Sequence, residues 1–127
     1  MATILVVDDT ASQLELIDSY LLEAGYTVVK SSDAKDAFEQ VVNLKPDAII
    51  TDVVMPGMSG FEFCRLLKRT PETKKVPIII CSSKNKDIDR IWGLRQGADV
   101  YLTKALYQTG IIKSFGFCRL VGKGSRE

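Results

Sequence analysis

A doubly wound α/β sandwich is the fold this sequence predicts, and three observations predict it. Short apolar runs alternate along the chain with stretches of helical period. The runs at 3–7, 48–52 and 76–81 are apolar almost throughout, as central parallel strands covered on both faces must be. Nothing repeats and no linker intervenes, so 127 residues read as one domain.

Five strands are predicted, at 3–7, 27–31, 48–52, 76–81 and 99–103. The first helix starts near Ala11, carries Leu14, Ile17, Leu21 and Leu22 as one apolar stripe, and stops at Gly25. Asp33 caps a second helix, whose buried face is Ala37, Phe38, Val41 and Val42. A third helix over 59–69 buries Phe63, Leu66 and Leu67, and a fourth over 86–96 ends at Gly97. Strands of this length separated by helices imply βαβ units with right-handed crossovers.

Composition narrows the function. A hydrophobic fraction of 46% supports an ordinary buried core. No apolar run reaches membrane-spanning length, and Met1 leads directly into the first strand without a signal peptide. Cys64, Cys81 and Cys118 are odd in number and lack metal-ligand spacing, so a reduced, cytoplasmic chain is expected. Histidine is absent, which excludes a Ser–His triad, a His-ligated metal and a phosphohistidine carrier within this chain. The net charge of +1 conceals an asymmetry: residues 1–63 hold 3 basic and 11 acidic side chains, residues 64–127 hold 14 and 5. The positives are scattered and not interleaved with aromatics, so neither nucleic acid nor a membrane is the expected partner.

Four of the strand-like runs end in residues that can handle a phosphoryl group: Asp8 and Asp9, Asp52, Ser82 and Ser83, and Lys104. In an open parallel sheet the carboxyl ends of the strands share one edge, where ligands bind. Three carboxylates brought together there need raised pKa values or a cation, and hard oxygen ligands on a shallow edge suit Mg²⁺. Lys104 supplies a point charge for a carboxylate or a phosphate oxygen, and Ser82 a hydroxyl. Each residue also has a plainer reading. Asp8 and Asp9 alone would be a solvated turn before a helix, Ser82 or Ser83 a cap for the fourth helix, and Tyr101 simple packing. Met55, Pro56, Gly57 and Gly60 mark a tight, shaped loop after Asp52.

These motifs resemble the receiver domain of bacterial two-component response regulators, the family that includes the chemotaxis receiver. The likeness covers residues 3–104 and rests on the acid pair, Asp52 in TDVVMPGMSG, Ser82 thirty residues on and Lys104 fifty-two on. It implies a flavodoxin-like five-stranded sheet of order 2-1-3-4-5. It also implies that Asp52 is the phosphoacceptor for a partner histidine kinase, and that Asp8, Asp9, Asp52 and the Val54 backbone carbonyl hold Mg²⁺. Lys104 would pair with the phosphate, Ser82 would hydrogen-bond it, and Tyr101 would then swing inward. The face of the fourth helix, fifth strand and fifth helix would so change shape for a downstream protein. Val54 and Lys84 fall at positions that tune dephosphorylation, and an apolar Val54 implies a slow one. Residues 81–97 are similar to receivers of twitching-motility and phototaxis systems, with Trp92 either near the output face or packed on the sheet.

The pattern breaks after Lys104, which separates a receiver core at 1–104 from an atypical segment at 105–127. The family continues with proline and an amphipathic fifth helix; here Ala105 follows, with Gly110, Gly116, Gly122 and Gly124 beyond it. Each glycine costs a helix about 1 kcal/mol. The translations permitted one base later from the Ala105 codon include Pro, Phe or Tyr, Thr, Lys, Gln, Glu, Leu, Leu, which resembles the family's usual segment and points to a one-base insertion. An altered tail would endanger Lys104 and the output face; a monomer or weak dimer is expected, and the tail makes a swapped dimer possible. A stand-alone receiver is therefore the first reading. A signalling-impaired receiver or a fragment of a larger regulator comes second, and a Mg²⁺-dependent phosphohydrolase with an aspartyl nucleophile a distant third.

Overall fold

A computed structural model describes residues 2–104. The expectations for the tail (its fifth helix, its reading frame, Cys118 and a swapped dimer) lie outside the described residues. Nine elements follow in strict alternation: β1 (Thr3–Val7), α1 (Ala11–Glu23), β2 (Thr27–Ser31), α2 (Ala34–Leu44), β3 (Ala48–Thr51), α3 (Gly60–Arg69), β4 (Ile78–Ser82), α4 (Asp87–Arg95) and β5 (Val100–Thr103). The five strands form one parallel sheet in the order β2-β1-β3-β4-β5. β1 lies between β2 and β3, pairing Val7 with Ser31 on one side and with Thr51 on the other.

Alternation along the central strands builds two cores. Leu5, Val7, Ile49, Ile78, Ile80 and Tyr101 meet Ala37 and Val41 of α2 and Phe63 and Leu67 of α3 on one face. Ile4, Val6, Ile50, Ile79 and Cys81 meet Ile17 and Leu21 of α1 on the other. β1, β3 and β4 are thus buried on both faces, which is why their sequences read as unbroken apolar runs.

Local chemistry sets the helix ends. The Asp33 carboxylate accepts the Asp36 N–H at 2.8 Å, as the sequence predicts. Ser59 and Glu62 form a reciprocal capping box at the start of α3, with both bonds at 3.2 Å. Gly25 and Gly97 end α1 and α4 at φ values of 95° and 113°.

Three expectations need correction. Leu22 is 54% exposed and does not belong to the buried stripe of α1, because i+8 has rotated past the sheet-facing side. β4 runs Ile78–Ser82 instead of 76–81: Val76 N–H is taken by Thr73 in a turn, and Pro77 has no N–H to give. Leu66 is only partly buried, and Cys64 takes its place among the fully buried residues of α3. Among the described residues, no helix is long and apolar enough to cross a membrane.

Candidate functional site

The carboxyl ends of β1, β3, β4 and β5 deliver Asp8, Asp52, Ser82 and Lys104 to one edge of the sheet. Asp8 and Asp52 follow adjacent strands, and the Asp52 N–H donates to the Val7 carbonyl at 3.0 Å, which ties the two loops together. Carboxylate oxygens of Asp8, Asp9 and Asp52 lie within 4.8 Å of one another. Asp8 and Asp52 are buried and Asp9 is exposed, so the cluster has a dry floor and an open rim.

Each buried carboxylate has partners. Asp8 accepts the Thr10 N–H at 2.9 Å through Oδ1 and the Lys104 ammonium at 3.0 Å through Oδ2. Asp52 accepts its own neighbour's N–H, from Val53, at 2.8 Å through Oδ1, and Lys104 at 3.3 Å through Oδ2. Lys104 therefore bridges the carboxylates that follow two adjacent strands. The solvated-turn reading of the acid pair does not hold for Asp8, which is only 1% exposed.

The electrostatics show which group is under pressure. Burial raises the Asp52 pKa; the Val53 N–H works against the shift, the Asp8 charge adds to it, and Lys104 does not cancel it. Burial also opposes the Lys104 ammonium, but the hydrogen bond to Asp8 and the charges of Asp52 and Asp8 outweigh it, so its pKa is raised. Burial of Asp52 beside the Asp8 charge thus disfavours its ionised form, and further positive charge at that carboxylate would offset the cost.

The donor set fits Mg²⁺. Three carboxylates offer hard oxygen ligands within 4.8 Å of one another, the donor type such an ion takes. The exposed Asp9 leaves room for the waters such an ion retains.

Ser82 ends β4 with no exposure, and its Oγ accepts the Lys84 N–H at 3.1 Å. Neither Ser82 nor Ser83 caps α4, which begins at Asp87 with Lys86 as its N-cap; the Lys86 N–H is instead within 3.3 Å of Asp89. Tyr101 lies inward, 8% exposed, and its hydroxyl donates to the Lys84 carbonyl at 2.8 Å. Lys84, whose N–H reaches Ser82, is exposed, and Val54, two residues after Asp52, is 62% exposed. Trp92 is 49% exposed and is not what packs α4 on the sheet; Gly93 is, with no room for a Cβ beside the Tyr101 ring.

Two further residues shape the site: Thr51, which the sequence does not single out, and Gly60, which it marks only as part of a tight loop. Thr51 is fully buried, and its hydroxyl donates to the Asp52 carbonyl at 2.9 Å. Gly60 opens α3 directly against that carbonyl, and its N–H donates to Val53 at 2.7 Å. The glycine pattern of the loop was the available signal for Gly60; Thr51 gives none, because strands commonly carry threonine.

A model of the response regulator receiver domain family matches residues 4–115. Protein PilH of Pseudomonas aeruginosa is 37% identical over 114 residues, covering 90% of this chain and 94% of that protein. The phosphate regulon transcriptional regulatory protein PhoB of the same organism is 42% identical over 126 residues, covering 98% of this chain, which spans only 55% of PhoB. Among solved structures, the receiver domain of a signal transduction histidine kinase from Syntrophus aciditrophicus superposes with a TM-score of 0.82 at 30% identity, covering 100% of this chain and 95% of that one. The chemotaxis response regulator CheY4 of Vibrio cholerae gives 0.77 at 29% identity, covering 99% and 98%. The chain belongs to the response regulator receiver domain family, whose members accept a phosphoryl group and act as signal switches, not as enzymes.

Proposed function

We propose that this receiver works as a stand-alone switch in a motility or taxis pathway, phosphorylated on Asp52 by a histidine kinase in the cytoplasm. One observation carries the chemical part: a buried Asp52 carboxylate, its ionised form disfavoured by burial, sits between two further carboxylates and the Lys104 ammonium. The pathway is supported by the likeness to PilH, which covers 90% of this chain and 94% of that protein. Cytoplasmic placement is supported by Cys64 and Cys81, both buried in apolar surroundings.

In the reaction, an Asp52 oxygen attacks the phosphorus of the kinase phosphohistidine, the P–N bond breaks, and an aspartyl phosphate forms. Asp8, Asp9, Asp52 and the Val54 carbonyl would hold Mg²⁺, which when bound supplies charge neutralisation to the transferring oxygens. Lys104 is released from Asp52 to pair with the new phosphoryl group while keeping Asp8. Ser82, whose Oγ accepts the Lys84 N–H, donates its hydroxyl proton to a phosphoryl oxygen. Tyr101, bonded to the carbonyl of that same Lys84, transmits the change to α4 and β5, where a downstream protein reads it. A phosphohydrolase would need a second acid at position 54, and a valine stands there.

Intact mass after incubation with a small acyl phosphate and Mg²⁺ tests the reading. The parent gains one phosphoryl group that decays slowly, because Val54 cannot orient a water; Asp52→Asn gains none. Labelling of Asp52→Asn, or turnover of the acyl phosphate without accumulation, would overturn it.

A further inference from the structure

One peptide unit, between Asp52 and Val53, is held at both of its polar ends. Its carbonyl, from Asp52, accepts the Thr51 hydroxyl at 2.9 Å. Its N–H, from Val53, donates to the Asp52 carboxylate at 2.8 Å. Because a peptide is planar, its C=O and N–H turn as one body, and fixing the oxygen fixes the direction of the N–H. The carbonyl is also walled in: a Cβ on Gly60 would collide with it, and that added atom would stand 2.9 Å from the Val53 Cα. On the far side of the wall, the Gly60 N–H donates to the next carbonyl, of Val53, at 2.7 Å. The peptide can turn only if the Thr51 bond is lost.

We infer that Thr51 is a positioning residue for Asp52: its buried hydroxyl fixes the Asp52–Val53 peptide, and that peptide fixes the carboxylate. With Oδ1 held on the Val53 N–H, Oδ2 is left facing Lys104. Polarisation along the chain adds to the effect, since a carbonyl that accepts a hydrogen bond makes its peptide N–H a stronger donor. Without the hydroxyl the carbonyl is left buried and short of a donor, which favours rotation of the peptide and releases the carboxylate. Thr51 bonds the Asp52 main chain and not its carboxylate, so it acts through main-chain geometry.

This inference rests on Asp52 being the phosphoacceptor. The experiment compares the limiting rate of labelling by acyl phosphate, at saturating Mg²⁺ and donor, in the parent, Thr51→Val, Thr51→Ser and Asp52→Asn, at a temperature where circular dichroism shows each folded. Valine keeps the shape and removes the donor; Thr51→Ala serves the same comparison where valine does not fold. The expected result is a fall of about tenfold for Thr51→Val, the scale on which small misplacements of reacting groups act, with Thr51→Ser returning to within about twofold of the parent. A parental rate in Thr51→Val overturns the inference, as does a Thr51→Ser as slow as Thr51→Val, which would make the side chain a packing element only. An unlabelled parent or a labelled Asp52→Asn removes the phosphoacceptor reading itself, and the inference with it.

Discussion

The loops after β1 and β3 and the flank formed by α4 and β5 lie on the same sheet and are built in opposite ways. Around Asp52 almost every polar atom is committed: its N–H to Val7, its carbonyl to Thr51, one carboxylate oxygen to Val53 and the other to Lys104. The α4 flank is nearly the reverse. Gly93 is the one buried residue of α4, and Ile88, Ile91, Trp92 and Leu94 are 40–66% exposed. Gly93 rests against the Tyr101 ring and the tip of Ile80. The difference teaches a division of labour. A cluster of like charges needs a rigid frame to persist, whereas an element that reports a signal must have little to lose on moving.

Substitution of the two glycines tests that contrast directly. In Gly60→Ala the new methyl meets the main chain of Asp52 and Val53, which cannot yield, so a loss of about 1–3 kcal/mol is expected in urea unfolding. In Gly93→Ala the methyl would stand 2.7 Å from a carbon of the Tyr101 ring. The ring can turn away, and alanine is favoured over glycine in a helix by about 1 kcal/mol, so the net stability change is expected to be smaller than for Gly60→Ala. What changes instead is the Tyr101 hydroxyl bond to the Lys84 carbonyl, to be read in the Tyr101 ring resonances and in the fluorescence of Trp92, the sole tryptophan. Equal destabilisation by the two alanines would break the contrast, since α4 would then be as firmly fixed as the pocket.

The smallest effect is expected on the outer face of α4. Ile88→Ser and Ile91→Ser remove exposed side chains and should shift the unfolding free energy by no more than about 0.5 kcal/mol. A larger loss for either would show that this face is covered within the chain, and the picture of a lightly held reporter helix would fail.

Much of this fold was legible in the sequence. Three unbroken apolar runs announced strands buried on both faces, and Asp33, Gly25 and Gly97 marked helix ends that the structure reproduces. Errors arose where local pattern met three-dimensional geometry. Leu22 continues the apolar stripe of α1 in sequence but has turned out of the contact. For Ser82 and Ser83 the plainer alternative, a cap for α4, drops out, since the chain travels on to Asp87 before the helix begins. Trp92 could have served either core or surface, and the short residue beside it is what the sheet accepts.

By itself the sequence determined which chemistry this chain can perform. Placing acids, a hydroxyl and an ammonium at strand ends, with no histidine anywhere, leaves few uses besides holding a cation and a phosphoryl group. Tertiary structure alone decided how those groups are aimed. That Lys104 bridges Asp8 and Asp52, that Gly60 walls in one carbonyl and that Thr51 grips it are contacts between chain segments or rotations of a single peptide plane. Periodicity records which side of an element a residue faces. It carries no record of the dihedral angles that point an oxygen one way and not another, because those are settled only when the strands pack.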